Sequence, residues 1–169
     1  STSEFQGDTV SSWTDSPISS KDNIACGNHP EYGILEAYFK LTDFPTVPEG
    51  CTLARAYVGL YQNDFRSSIG NGTGGKLCLY MQANTTYAPM NSSLTWATRP
   101  SYGEVLDYVD TDYWNVDSTV LWDIPPAAKG WYDGTMPNYG LAMTSNGDTS
   151  TKCRAWFSYF RVSFIVSYR

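Results

Sequence analysis

Apolar and polar residues alternate with a period of two along several stretches of this chain, the pattern of half-buried β-strands. Residues 53–62 read LARAYVGLYQ. They set Ala54, Ala56, Val58 and Leu60 on one side and Arg55, Tyr57 and Tyr61 on the other. Residues 156–167 repeat the pattern, with Phe160, Val162, Phe164 and Val166 predicted inward and Tyr159, Arg161, Ser163 and Ser167 outward. Residues 34–41 (ILEAYFKL) place Ala37, Phe39 and Leu41 on one side and Glu36, Tyr38 and Lys40 on the other. Further strands are predicted near 8–10, 23–26, 76–82, 105–109, 120–124 and 139–144. Residues 43–50 read as a loop, because Pro45 and Pro48 cannot donate to a ladder. The run SSIGNGTGG at 67–75 reads as a flexible hairpin loop. No long window carries a capped helical stripe, and only one short helical turn is expected, at 125–131. Roughly eight to ten strands in such succession predict an all-β fold, a two-sheet antiparallel β-sandwich of jelly-roll-like form.

Composition agrees with that fold. The 169 residues suit a single domain, 1–169 with a core over about 8–168, and 13 Tyr, 6 Trp and 7 Phe stand beside 14 Gly and 9 Pro. The net charge is -6 and there is no basic run, so nucleic acid and anionic membrane are poor partners. An acidic surface rich in Tyr, Trp, Asn, Ser and Thr suits neutral sugars better, and it repels polyanions unless a local Arg/Lys cluster overrides the average. No apolar run is long enough to span a membrane. The expected location is extracellular, secreted or attached to a cell surface. The four cysteines, Cys26, Cys51, Cys78 and Cys153, are spaced by 25, 27 and 75 residues and match no zinc template. They permit three disulfide pairings, and the sequence leaves disulfide and free thiol equally open. Asn71, Asn84 and Asn91 open glycosylation sequons, which arise by chance in a chain of this composition.

From about Asp8 to Tyr168 the order of elements resembles the DNRLRE domain family. The matching pieces are Phe39-Lys40-Leu41 with Pro45, the run from Leu53 to Tyr61, Thr95-Trp96 with Pro100, Trp122-Asp123-Ile124, the run from Lys129 to Gly134, and Asn138-Tyr139-Gly140-Leu141. The second half matches more specifically than the first, and four cysteines depart from the family's usual pattern. The resemblance implies a jelly-roll-like module of a larger secreted or cell-surface bacterial protein. Some members look like carbohydrate-binding modules attached to glycan-degrading enzymes.

Candidate functional residues fall into two groups. Trp96, Trp122 and Trp131 lie in the matching motifs and read as core or edge packing. Trp114 lies instead in a polar loop beside Tyr113, and Trp13 lies in a similar setting; an exposed aromatic can stack on a sugar ring while polar neighbours bond its hydroxyls. The second group is the outward set Arg55, Tyr57, Tyr61, Tyr159 and Arg161, an aromatic and basic face if their strands share one sheet. Asp107, Asp110, Asp112 and Asp117 offer oxygen ligands for a structural Ca²⁺, at a spacing that is not that of an EF-hand. No other cofactor is expected. Catalysis has little support: the single His29 sits in a Gly-Asn-His-Pro turn, and no carboxylate pair stands out. The expectation is a non-catalytic polysaccharide-binding module, monomeric and tethered to other domains of a larger chain. A spacer or adhesin module is the alternative. A polysaccharide lyase, with a tyrosine base beside Arg55 or Arg161, ranks behind both.

Overall fold

The computed structural model describes residues 6–18, 22–41, 44–146 and 150–169, and the side chain of Tyr159 lies outside the described residues. In chain order the elements are β1 (Gln6–Ser11), β2 (Asn23–His29), β3 (Gly33–Lys40), β4 (Leu53–Arg66), β5 (Leu77–Asn84), β6 (Tyr102–Thr111), β7 (Ser118–Asp123), α1 (Pro125–Asp133), β8 (Leu141–Ser145) and β9 (Arg154–Tyr168). The strands pair in the order β6-β5-β8-β3-β2-β9-β4-β7, with β1 added to β3. Every pairing is antiparallel. The two ends of this path approach each other. The Asp123 N–H of β7 donates to the Asp107 carboxylate of β6 at 2.8 Å, and the Trp122 indole N–H reaches the Leu79 carbonyl of β5 at 3.2 Å. The all-β fold is thus a nearly closed, barrel-like antiparallel sandwich.

The core forms where the alternating faces meet. Phe39, Val58, Leu60, Leu79, Trp122 and Phe157 are all fully buried in one cluster. β4 follows its predicted phase through Ala56, Val58 and Leu60, but Ala54 is only half-buried, because the β4–β9 register is irregular between Leu53 and Arg55. β9 departs further. Leu60 pairs with Val162, yet Gln62 pairs with Phe157, so β9 carries extra residues in a bulge at that point. Val162, Phe164 and Val166 face the core as expected, whereas Phe160 sits in the bulge and is 77% exposed. The side chains of Ala155 and Phe157, before the bulge, are buried again.

β3 is buried on both faces. Ala37 and Phe39 enter the main core, while Tyr38, expected outward, is fully buried in a second cluster with Val10, Met90, Leu94 and Ala142. The long connection between β5 and β6 covers this face, and a buried carboxylate holds it there. Asp8 of β1 accepts the N–H groups of Ser92 at 2.7 Å and Leu94 at 3.0 Å. Next to it, Glu36 accepts the Tyr38 hydroxyl at 2.7 Å and faces Arg99 at 3.4 Å, and the Arg99 guanidinium lies 3.6 Å from the Trp96 ring centre.

Burial pushes the Glu36 carboxyl above its ordinary range, and the Tyr38 bond and Arg99 pull it back only in part. A carboxyl raised in this way binds its proton more tightly folded than unfolded. Its contribution to stability is full below the ordinary carboxylate pKa and is lost as pH rises through the raised value. The stability of Glu36→Gln relative to the native chain should therefore climb over that window. Urea midpoints of the two proteins across pH check this, and a pH-independent difference would contradict it.

Gly27 explains how β2 passes close to the start of β9. Its φ is +129°, and a Cβ there would lie 2.3 Å from the Cys153 carbonyl oxygen. His29 ends β2 rather than lying in a turn. Cys26, Cys51, Cys78 and Cys153 are all free thiols; Cys26 and Cys153 are buried, and the Cys26 thiol donates to the Met143 carbonyl at 3.3 Å.

Candidate functional site

The alternation of β4, β9 and β7 leaves one open sheet face on the outside of the sandwich. Directly paired residues of neighbouring strands point to the same side. Tyr57 therefore shares its face with Asp123 and Ile165, Gly59 with Leu121 and Ser163, and Tyr61 with Thr119. Arg55 and Arg161 complete the set. The structure thus brings Arg55, Tyr57, Tyr61 and Arg161 onto one sheet. Tyr159 lies on the same strand, but its side chain is outside the described residues.

These side chains are fixed to one another. Arg55 Nη1 donates to the Tyr57 hydroxyl at 2.9 Å, and the Arg161 guanidinium lies 4.4 Å from the Tyr61 ring centre. The Tyr61 hydroxyl donates in turn to Asp117 Oδ1 at 3.2 Å. The hydrogen bond and the negative side of Tyr57, with Asp123 nearby, raise the pKa of Arg55 further, so its charge is secure. Asp123 Oδ1 is buried without a hydrogen-bond partner among the described residues, so it acts on Arg55 through charge alone. Leu121 and Ile165 are 46% and 50% exposed and give the face an apolar middle.

Trp114 stands at the Tyr61 end, three residues before Asp117. It is 86% exposed, on a single 3-10 turn, Tyr113–Asn115. Asp112 caps that turn, accepting the Trp114 N–H at 2.9 Å, and Asn115 Oδ1 accepts the Asp112 N–H at 3.3 Å, closing a capping box. Tyr113 is half-buried against the core and meets the Trp114 ring edge-on at 5.7 Å. The turn is also tied to β4 from below. Buried Gln62 donates to the Asp112 carbonyl at 3.0 Å, takes the Thr111 hydroxyl on its own side-chain oxygen, and accepts the Asp117 N–H on its backbone at 2.8 Å. Gln62 continues the inward phase of Val58 and Leu60. A glutamine at a core position is the signal in the sequence for this tie. Leu121 and Asp123 also belong to the face beyond the residues expected there, and the alternation Thr119, Leu121, Asp123 against Val120 and Trp122 is what marks them as outward.

Trp13 does not join this site. It is 62% exposed, and its ring lies against Gly33, where an added Cβ would come within 2.7 Å of Trp13 Cδ1. β3, β2 and β9 separate that edge from β4 in the sheet order. Trp122 lies in the core, and Trp96 and Trp131 are half-buried, as their motifs suggested. The four aspartates of the proposed calcium set are used separately. Asp107 accepts the Tyr108 and Asp123 N–H groups, Asp110 pairs with Cys78, Asp112 caps the turn and Asp117 holds Tyr61. Among the described residues no group of three or more His, Cys, Asp or Glu converges on a metal position.

His29 accepts the Glu31 N–H on Nδ1 at 3.0 Å and packs on Tyr32 at 4.7 Å between ring centres; burial lowers its pKa, with Arg154 adding to the effect. A separate cleft near α1 is lined by Phe44, Pro45, Cys51, Leu53, Lys129 and Tyr132, and the Tyr132 hydroxyl donates to the Pro45 carbonyl at 2.6 Å. Among the described residues no helix is long and apolar enough to cross a membrane. No family model matches the chain, and no curated protein is significantly similar to it.

Proposed function

We propose that this domain is a non-catalytic carbohydrate-binding module that holds a polysaccharide on the open β9–β4–β7 face beside Trp114. We place it as an appendage of a larger secreted or cell-surface protein, in line with its resemblance to DNRLRE modules. One observation carries the reading: a fully capped turn, anchored on buried Gln62, holds an indole 86% exposed to water. Fixing a large apolar ring in water is unfavourable unless a ligand covers it, and a sugar's C–H face is well matched to a Trp or Tyr ring. Arg55, Arg161 and Asp117 add donors and an acceptor for hydroxyl groups. Affinity per site should be modest, roughly micromolar to millimolar, because each sugar–protein hydrogen bond replaces one to water.

Affinity gel electrophoresis against a panel of soluble polysaccharides tests the proposal. At least one polymer should retard the native domain, and Trp114→Ala should lose most of the retardation while its unfolding free energy stays within about 0.5 kcal/mol of native, as for an exposed substitution. If no polymer retards it, the spacer or adhesin reading takes over. The exposed Phe160, Leu121 and Ile165 favour that reading, since such residues also suit a protein partner. Release of unsaturated products, abolished by Tyr57→Phe, would replace both with a lyase, whose base would be the tyrosine beside Arg55.

A further inference from the structure

We infer that the ligand is a linear, uncharged polysaccharide lying along β4 across two successive and similar subsites; the inference rests on the carbohydrate-binding reading above. The first subsite is Arg55, Tyr57 and Asp123. The second is Arg161, Tyr61 and Asp117. Each is a tyrosine with a guanidinium held against it and a carboxylate beside it, the guanidinium meeting the hydroxyl in the first and the ring in the second. In the first, Arg55 donates to the Tyr57 hydroxyl at 2.9 Å and Asp123 pairs with Tyr57 across the strands. In the second, Arg161 lies 4.4 Å from the Tyr61 ring and Asp117 accepts the Tyr61 hydroxyl at 3.2 Å.

The spacing makes these a repeat. Tyr57 and Tyr61 are four residues apart on one strand, so they project from the same face, roughly 13 Å apart at the usual rise of about 3.3 Å per residue. A polymer of identical units meets the same kind of donor, ring and acceptor twice. Between the tyrosines the strand carries Gly59, which adds no side chain of its own and is buried. A Cβ there would lie 2.9 Å from Leu121 Cδ2 and 3.0 Å from Thr119 Cγ2, so these β7 side chains close over the strand and form the floor of the path. Exposed Leu121 and Ile165 border this path and suit the C–H faces of intervening sugar rings.

Charge decides the ligand class. Each guanidinium of the face has one carboxylate beside its tyrosine, so the face is close to neutral where the chain as a whole carries -6. A polyanion would gain little from arginines already balanced in this way and would meet repulsion from the rest of the surface. An uncharged chain of hydroxyls uses both the donors and the acceptors.

The test is a length series of neutral β-1,4-linked oligosaccharides (gluco-, xylo- and manno-configured, from disaccharide to octasaccharide), titrated calorimetrically at low and high salt. Polygalacturonate serves as the acidic comparison. Affinity for one neutral series should rise roughly tenfold or more at the length that first spans both tyrosines, as linkage of two weak sites requires. It should change little with salt, because no net charge is exchanged. Tyr57→Ala and Tyr61→Ala should each bring the longest oligomer down to the short-oligomer affinity. Binding that saturates with a disaccharide, or that keeps its length dependence in both variants, overturns the inference and leaves the carbohydrate-binding reading standing. Salt-sensitive binding of polygalacturonate alone also overturns it. No binding to any probe or to any polymer of the electrophoresis panel overturns both.

Discussion

Replacing Trp122 with alanine is expected to remove about 3–5 kcal/mol of stability, a large part of what a domain of this size has. The indole is fully buried, its N–H is bonded to the Leu79 carbonyl at 3.2 Å, and its ring meets Phe157 edge-on at 6.0 Å. It therefore spans the point where the two ends of the strand path come together. Truncation leaves a cavity lined by β5, β7 and β9 and orphans a carbonyl. Urea unfolding should show a large fall in the midpoint with little change in slope. Trp122→Phe should recover part of the loss, because it refills volume without restoring the hydrogen bond. A cost below about 1 kcal/mol for the alanine variant would mean that this contact does not join the layers, since large buried aromatics ordinarily cost several times that.

Asp8→Ala is expected to release the connection between β5 and β6. The Asp8 side chain is completely buried, and both its oxygens accept backbone N–H groups of that connection. Hydrogen bonds to a charged acceptor contribute about 1.5–3 kcal/mol each, and alanine leaves two donors unpaired. Opening of the segment lets water satisfy them in part, so a net loss of roughly 2–4 kcal/mol follows. The distinctive sign is local. Amide exchange at Ser92 and Leu94 should accelerate by orders of magnitude, and the Tyr38 cluster should become accessible, while the β4–β9 pairing stays protected. Uniform acceleration across the sheet would show that Asp8 supports the whole fold and not the strap alone.

The contrast between β4 and β9 shows what a sequence pattern conveys. In β4 the period of two holds through Ala56, Val58 and Leu60, and one-sided burial follows directly from it. In β9 the same pattern places Phe160 inward, but alternation fixes a face only while register is continuous. The bulge opposite Leu60 and Gln62 breaks that register and turns Phe160 outward. Tyr38 fails for a different reason. Its phase is outward from the main core, and only a covering connection held by Asp8, 86 residues away from Leu94 in sequence, makes that side a second interior. The face was legible as two lists of outward residues. The ties that organise it were not, because Tyr61 and Asp117 are 56 residues apart and meet only when β4 and β7 pair.

A glycan array probed with the purified domain tests the central claim most directly. The account predicts capture by linear neutral glycans, with the signal lost in Trp114→Ala and in the Tyr57→Ala, Tyr61→Ala double variant while both remain folded. An array on which the native domain captures no glycan, at a concentration where millimolar affinities register, would contradict it.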